Sequence, residues 1–137
     1  MAKNRLDLSK LSRNFNKCKR LLPDIIGEDA VNFFLDNYRK GGFTDSSFKK
    51  WPGRKGGKDP GRALLVKSSR LRNSIRVQEK TATRVTVGTR GISYAKYHNE
   101  GRGVPQRKFI GDSKVLRNDI RKLITEELNL CIKKTFR

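Results

Sequence analysis

At 137 residues the chain is the size of one domain that buries a single core, but its hydrophobic fraction of 34% only equals its charged fraction. That balance is lean for a compact monomer, so part of the chain is expected to become ordered against partners. Lys and Arg number 33 against 13 Asp and Glu, a net charge of +20, which points to a polyanionic partner, either nucleic acid or an acidic protein surface.

The excess is uneven: Arg39 to Lys108 carries 19 Lys/Arg against 4 Asp/Glu. There is no secretory segment and no long apolar run, so no membrane partner is expected and the protein is read as made in the cytoplasm. Cys18 and Cys131 have no CxxC or Cys/His neighbour. A metal site is therefore not expected, and each cysteine reads as a small core residue on the apolar stripe of a helix.

In chain order, Leu8, Leu11, Phe15, Cys18 and Leu22 recur at steps of three and four, placing them on one helix face. Pro23 interrupts the run, and Ile26, Ala30, Phe33, Phe34 and Tyr38 continue it to Gly41-Gly42. The spacing predicts two helices, or one kinked at the proline. Residues 40–63 hold six glycines and two prolines among many basic residues, which predicts a long basic loop. Trp51 within it either anchors a subunit contact or folds back on the helices.

Ile75 and Val77 alternate with polar neighbours, as do Val85 and Val87, and the linker Glu79 to Thr83 suits a hairpin. Phe109-Ile110 is a candidate third strand. Leu116, Ile120, Leu123, Ile124, Leu128 and Cys131 form the clearest stripe in the chain, with Asp112 or Ser113 available as N-cap. The expected architecture is one α+β domain: a helical N-terminal region (1–39), the basic Gly/Pro-rich loop (40–63), a β-hairpin region (64–111) and a C-terminal helix (112–137), with the helices packed on a small antiparallel sheet.

Catalytic constellations fail on inspection. Gly53-Arg54-Lys55-Gly56-Gly57-Lys58-Asp59 has the composition of a phosphate loop, but the spacing is one residue short, Asp59 replaces the magnesium-binding Ser/Thr, and no strand precedes it. His98 is the only histidine. A general base needs a placed partner, and Glu100 beyond it is followed by the Gly101 break; Tyr94, Tyr97 and His98 are expected to pack between sheet and final helix, with His98 hydrogen-bonded locally. No catalytic residue, metal ligand or cofactor is assigned, and the chain is read as a non-enzyme. Aromatic residues interleaved with the basic stretch suit single-stranded nucleic acid, but no helix-turn-helix, zinc finger or aromatic-strand signature accompanies them.

The most patterned stretch is YAKYHNEGRGVPQRKFIGDS, from Tyr94 to Ser113. It follows three other pieces: Asn37-Tyr38-Arg39-Lys40-Gly41-Gly42-Phe43 with Trp51 beyond, Leu64 to Ile75, and Val85-Thr86-Val87-Gly88-Thr89. In this order, over roughly residues 38–113, they resemble the phage virion morphogenesis proteins, also called tail completion proteins. The chain departs from that pattern at Ser68-Ser69, where the family has Thr-Gly. The resemblance implies a structural virion protein, made in the host bacterial cytoplasm and placed at the neck or tail terminus. There it would complete the tail or join it to the head, as a homo-oligomeric ring around the DNA channel, and tail symmetry suggests six copies.

Its implied partners are connector, neck and tail proteins, with nonspecific contact to DNA in the channel. The candidate interface residues are Lys49, Lys50, Trp51, Arg54, Lys55, Arg70, Arg72 and Arg76. The alternative reading is a basic protein that binds nucleic acid without sequence choice.

Overall fold

The computed structural model describes residues 7–53 and 70–136. A long first helix, α1 (Leu8–Lys40), leads into a short ribbon of β1 (Gly42–Thr44) and β2 (Phe48–Lys50). After a single helical turn, α2 (Arg70–Asn73), come the hairpin strands β3 (Ile75–Lys80) and β4 (Val85–Thr89), a short helix α3 (Ala95–Glu100) and the closing helix α4 (Lys114–Thr135). The fold is α+β, but its strands make two separate two-stranded antiparallel sheets, β1-β2 and β3-β4, instead of one.

α1 starts where Asp7 accepts a hydrogen bond from the Lys10 amide at 3.0 Å, and it ends at Gly41, whose φ of 73° is left-handed. It runs through Pro23 as one helix, so of the two expected arrangements the pair of separate helices is absent. Proline removes one backbone bond and crowds the preceding turn. Here it is buried, and tertiary packing holds the helix beyond it: at Gly27 the hairpin comes so near that a β-carbon would stand 2.8 Å from Val77 Cγ2.

Part of the expected 40–63 loop is the β1-β2 ribbon, paired Phe43 to Lys49; residues 54–63 lie outside the described residues. The hairpin forms as predicted, Ile75 opposite Thr89 and Val77 opposite Val87, with a bulge between Val77 and Glu79. Phe109-Ile110 adds no strand. Both amides donate to the Asn99 Oδ1, at 3.0 and 3.2 Å, so they have no ladder to join.

The core gathers at the C-terminal half of α1. Phe34 stacks on Phe43 (centroids 6.4 Å, interplanar 14°), while Tyr38 meets Trp51 edge-on at 5.2 Å and Phe109 at 6.0 Å. Leu71, Ile75, Ala95 and Leu116 close around them. Of the two N-cap candidates for α4, Ser113 takes the place: its Oγ accepts from the Leu116 amide at 3.2 Å, and Asp112 pairs instead with Arg117. Asp45, in the β1-β2 turn, adds acceptors for the Lys114 and Val115 amides, docking the ribbon on that helix start.

At the opposite end α1 and α4 are joined covalently. Cys18 and Cys131 form a disulfide across a Cα–Cα distance of 6.4 Å, which corrects the expectation of two independent core thiols. Asn14 Nδ2 donates to Thr135 Oγ1 one turn further along, at 3.1 Å. Among the described residues no helix is long and apolar enough to cross a membrane.

Candidate functional site

The patterned stretch 94–113 turns out to be an internal tie. α3 ends at Gly101, left-handed with φ 76°, where a β-carbon would also strike Gln106 at 2.8 Å. The chain thus doubles back, and the Arg107 amide donates to the His98 carbonyl at 2.8 Å. Asn99 is the hub: its carbonyl accepts from Gln106 Nε2 at 3.1 Å, while its side chain receives the Phe109 and Ile110 amides.

Three further bonds tie this returning segment to the end of the ribbon. Trp51 Nε1 donates to the Lys108 carbonyl at 2.8 Å. The buried Arg107 guanidinium donates to the Pro52 and Gly53 carbonyls, each at 3.1 Å, and desolvated charged donors of this kind are the stronger class of hydrogen bond.

Asn99→Ala would leave two amides without their acceptor. The expected loss is roughly 2–6 kcal/mol at about 1–3 kcal/mol per orphaned group, whereas Asn99→Asp keeps an acceptor and is expected to lose less. Urea denaturation of the two variants checks the ordering.

Burial, and secondarily Arg107, hold His98 below its ordinary pKa, so it stays neutral at pH 7. Its Nδ1 is buried with no hydrogen-bond partner among the described residues. Glu100 is engaged by Arg102 at 2.6 Å. Burial also drives the Tyr38 phenol well above its usual range, assisted by Tyr94 and opposed by nearby Arg72. Among the described residues no group of His, Cys, Asp and Glu is arranged to hold a metal ion.

The candidate interface residues divide into three places. Lys49 and Lys50 are exposed on β2 and, with Lys108, line a groove of about 320 Å³ beside Phe43 and Trp51. Lys108 Nζ lies 4.8 Å over the Phe43 ring there, and that cation–π contact fixes one rim. Arg70 and Arg76 are exposed on α2 and β3, and Arg72 between them is half-buried; none of the three lines that groove. Arg54 and Lys55 lie outside the described residues.

Trp51 is 5% exposed. It is folded back into the core and in this arrangement offers no anchor to a neighbouring subunit. Tyr94 and Tyr97, expected to pack inside, are instead 38% and 42% exposed, with Lys96 Nζ over the Tyr97 ring at 5.4 Å. Asn99 had not stood out in the sequence, because its acceptors serve amides ten and eleven positions away.

Comparison of the chain with known protein families, with curated proteins and with solved structures returns no match.

Proposed function

We propose that the chain is a structural component of a tailed-phage particle, acting in tail completion or head–tail joining as one of several copies in a ring at the neck or tail terminus. The observation that carries this reading is the stretch 94–113. It supplies the resemblance, and its side chains serve to lock α3, the returning segment and the end of the ribbon together. A tie of that kind makes a rigid platform, while Lys49, Lys50, Arg70 and Arg76 remain exposed around it. A ring closes by heterologous contacts, one face of each copy meeting a different face of the next, and exposed cations suit acidic faces of neck or tail proteins.

The test is negative-stain electron microscopy of lysates from a phage bearing an early stop codon in this gene. Filled heads beside unjoined or abnormal tails are expected; normal infectious particles would overturn the reading. Reversing Arg70 and Arg76 to Glu is expected to leave the melt unchanged and block joining. Arg72 is left in place because it lies close to Tyr38.

The exposed Tyr94 and Tyr97 beside Lys96 favour a second reading, nonspecific nucleic-acid binding by stacking and phosphate contact. That reading expects log affinity for single-stranded DNA to fall steeply and linearly with log salt. It fails if the chain does not bind DNA at low ionic strength.

A further inference from the structure

In the β1-β2 ribbon Phe43 lies directly opposite Lys49, and the Trp51 amide continues the pairing by donating to the Gly41 carbonyl at 2.8 Å. Opposed residues project from the same face of a strand pair, as do residues two apart along one strand. Phe43, Lys49 and Trp51 therefore share a face. Lys108 reaches that face from the returning segment and sets its Nζ 4.8 Å over the Phe43 ring. Its chain is laid across Gly111, where any β-carbon would strike Lys108 Cε. The groove of about 320 Å³ lies on this face, and Pro52 also lines it.

The two walls are joined before any ligand arrives. Trp51 Nε1 donates to the Lys108 carbonyl, and Arg107 holds the Pro52 and Gly53 carbonyls, so the backbone positions carrying Lys49 and Lys108 are fixed relative to each other. Binding there is spared that part of the ordering cost. Lys49 is exposed, and among the described residues no hydrogen bond or ion pair uses the Lys49 or the Lys108 ammonium. An ammonium carries three donors and no acceptor, so the pair calls for an anion. Asp45 lines the groove as well, but its Oδ1 accepts from the Lys114 amide at 3.0 Å at the start of α4.

We propose that this groove takes a carboxylate side chain from an acidic segment of a partner protein, held between Lys49 and Lys108, with an apolar neighbour resting on Pro52 and the lysine methylenes. Its volume stands at the low end of the roughly 300–1,000 Å³ of small-molecule sites, room for one or two side chains and not for a helix. Nucleic acid is not the occupant. Phe43 and Trp51 are 7% and 5% exposed, too little ring for a base to stack on, and the Arg107 guanidinium, the fork suited to phosphate, is turned to backbone carbonyls. The proposal deepens the assembly reading and rests on it only for where such a partner is met.

The probe is a capped peptide of glutamate, leucine and glutamate between glycines, titrated into the ¹⁵N-labelled chain. Trp51 is the only tryptophan, so its indole N–H is a single signal inside the groove. Saturable shifts of that signal and of the Lys49 and Lys108 amides are expected, with the glutamine analogue about tenfold weaker or more. Lys49→Gln and Lys108→Gln should each weaken the peptide by about fivefold or more, and Lys134→Gln, the same charge loss at the far end of α4, by less than about twofold. Lys49→Glu should reject the glutamate peptide and accept one with lysine in its place. The Trp51 emission of each variant checks that the core is intact. Equal binding of the glutamine analogue, equal losses in all three glutamine variants, no saturation by roughly 10 mM peptide, or stronger shifts of the indole signal with an oligothymidylate of the same charge would overturn the proposal. Binding as expected, together with normal infectious particles from the stop-codon phage, would keep this site and remove only the virion reading.

Discussion

Reducing the Cys18–Cys131 disulfide is expected to lower the stability of the isolated chain by roughly 5 kcal/mol, the chain-entropy value for closing a loop of about a hundred residues. The bond spans 113 positions and fastens the first turns of α1 to the last turns of α4, where flanking side chains such as Leu8, Leu21, Leu130 and Phe136 remain exposed. This end has little apolar burial of its own to replace the link. For a domain of this size such a loss moves the melting midpoint down by about 10–20 °C. Thermal melts with and without reductant, beside the Cys18→Ser/Cys131→Ser double variant, check it. A reduced wild type that melts like the oxidised one would show that helix packing alone holds this end. The redox state must be fixed in such a comparison, because disulfides persist in oxidising surroundings and are rare in a reducing cytosol.

That bond was not legible in the sequence, and the reason is general to what was missed. The hairpin announced itself because Ile75 with Val77, and Val85 with Val87, carry the strand period within one short window, and α4 did so through its stripe and its Ser113 cap. Features that depend on distant parts of the chain left no such mark. Cys18 and Cys131 each sit at a helical core position, and only the meeting of α1 with α4 brings them together. Pro23 reads locally as a break, and the chain passes through it because the hairpin and α4 pack along α1 on either side. The three-residue strands β1 and β2 are too short to show a period, so Gly42 to Lys50 looked like the start of a loop. Gly27 carried no signal at all, although the approach of Val77 requires its missing β-carbon. For the site, the order of the pieces in 94–113 was legible while their use was not, since the Asn99 and Arg107 contacts reach other turns of the chain.

Trp51→Ala is expected to destabilise the protein by about 3–5 kcal/mol, the cost of removing a large buried aromatic from a packed core. The ring meets Tyr38 at 5.2 Å, and its Nε1 donates to the Lys108 carbonyl at 2.8 Å, so the truncation opens a cavity and orphans an acceptor together. Trp51→Phe separates the two effects. It keeps most of the ring and loses the hydrogen bond, for an expected cost nearer 1 kcal/mol plus any misfit. The measurement is direct because Trp51 is the only tryptophan: native emission should be blue-shifted and shielded from acrylamide, and should shift red in the same transition that unfolds the helices. A quenchable, red native spectrum, or an alanine variant losing less than about 1 kcal/mol, would return Trp51 to the surface as a subunit anchor. The consequence reaches the proposed assembly face, because Trp51 and Arg107 are what bind the end of β2, with Lys49 and Lys50, to the segment carrying Lys108. Without that join the exposed lysines lose their fixed spacing, and the alanine variant is expected to fail in joining even at temperatures where it remains folded.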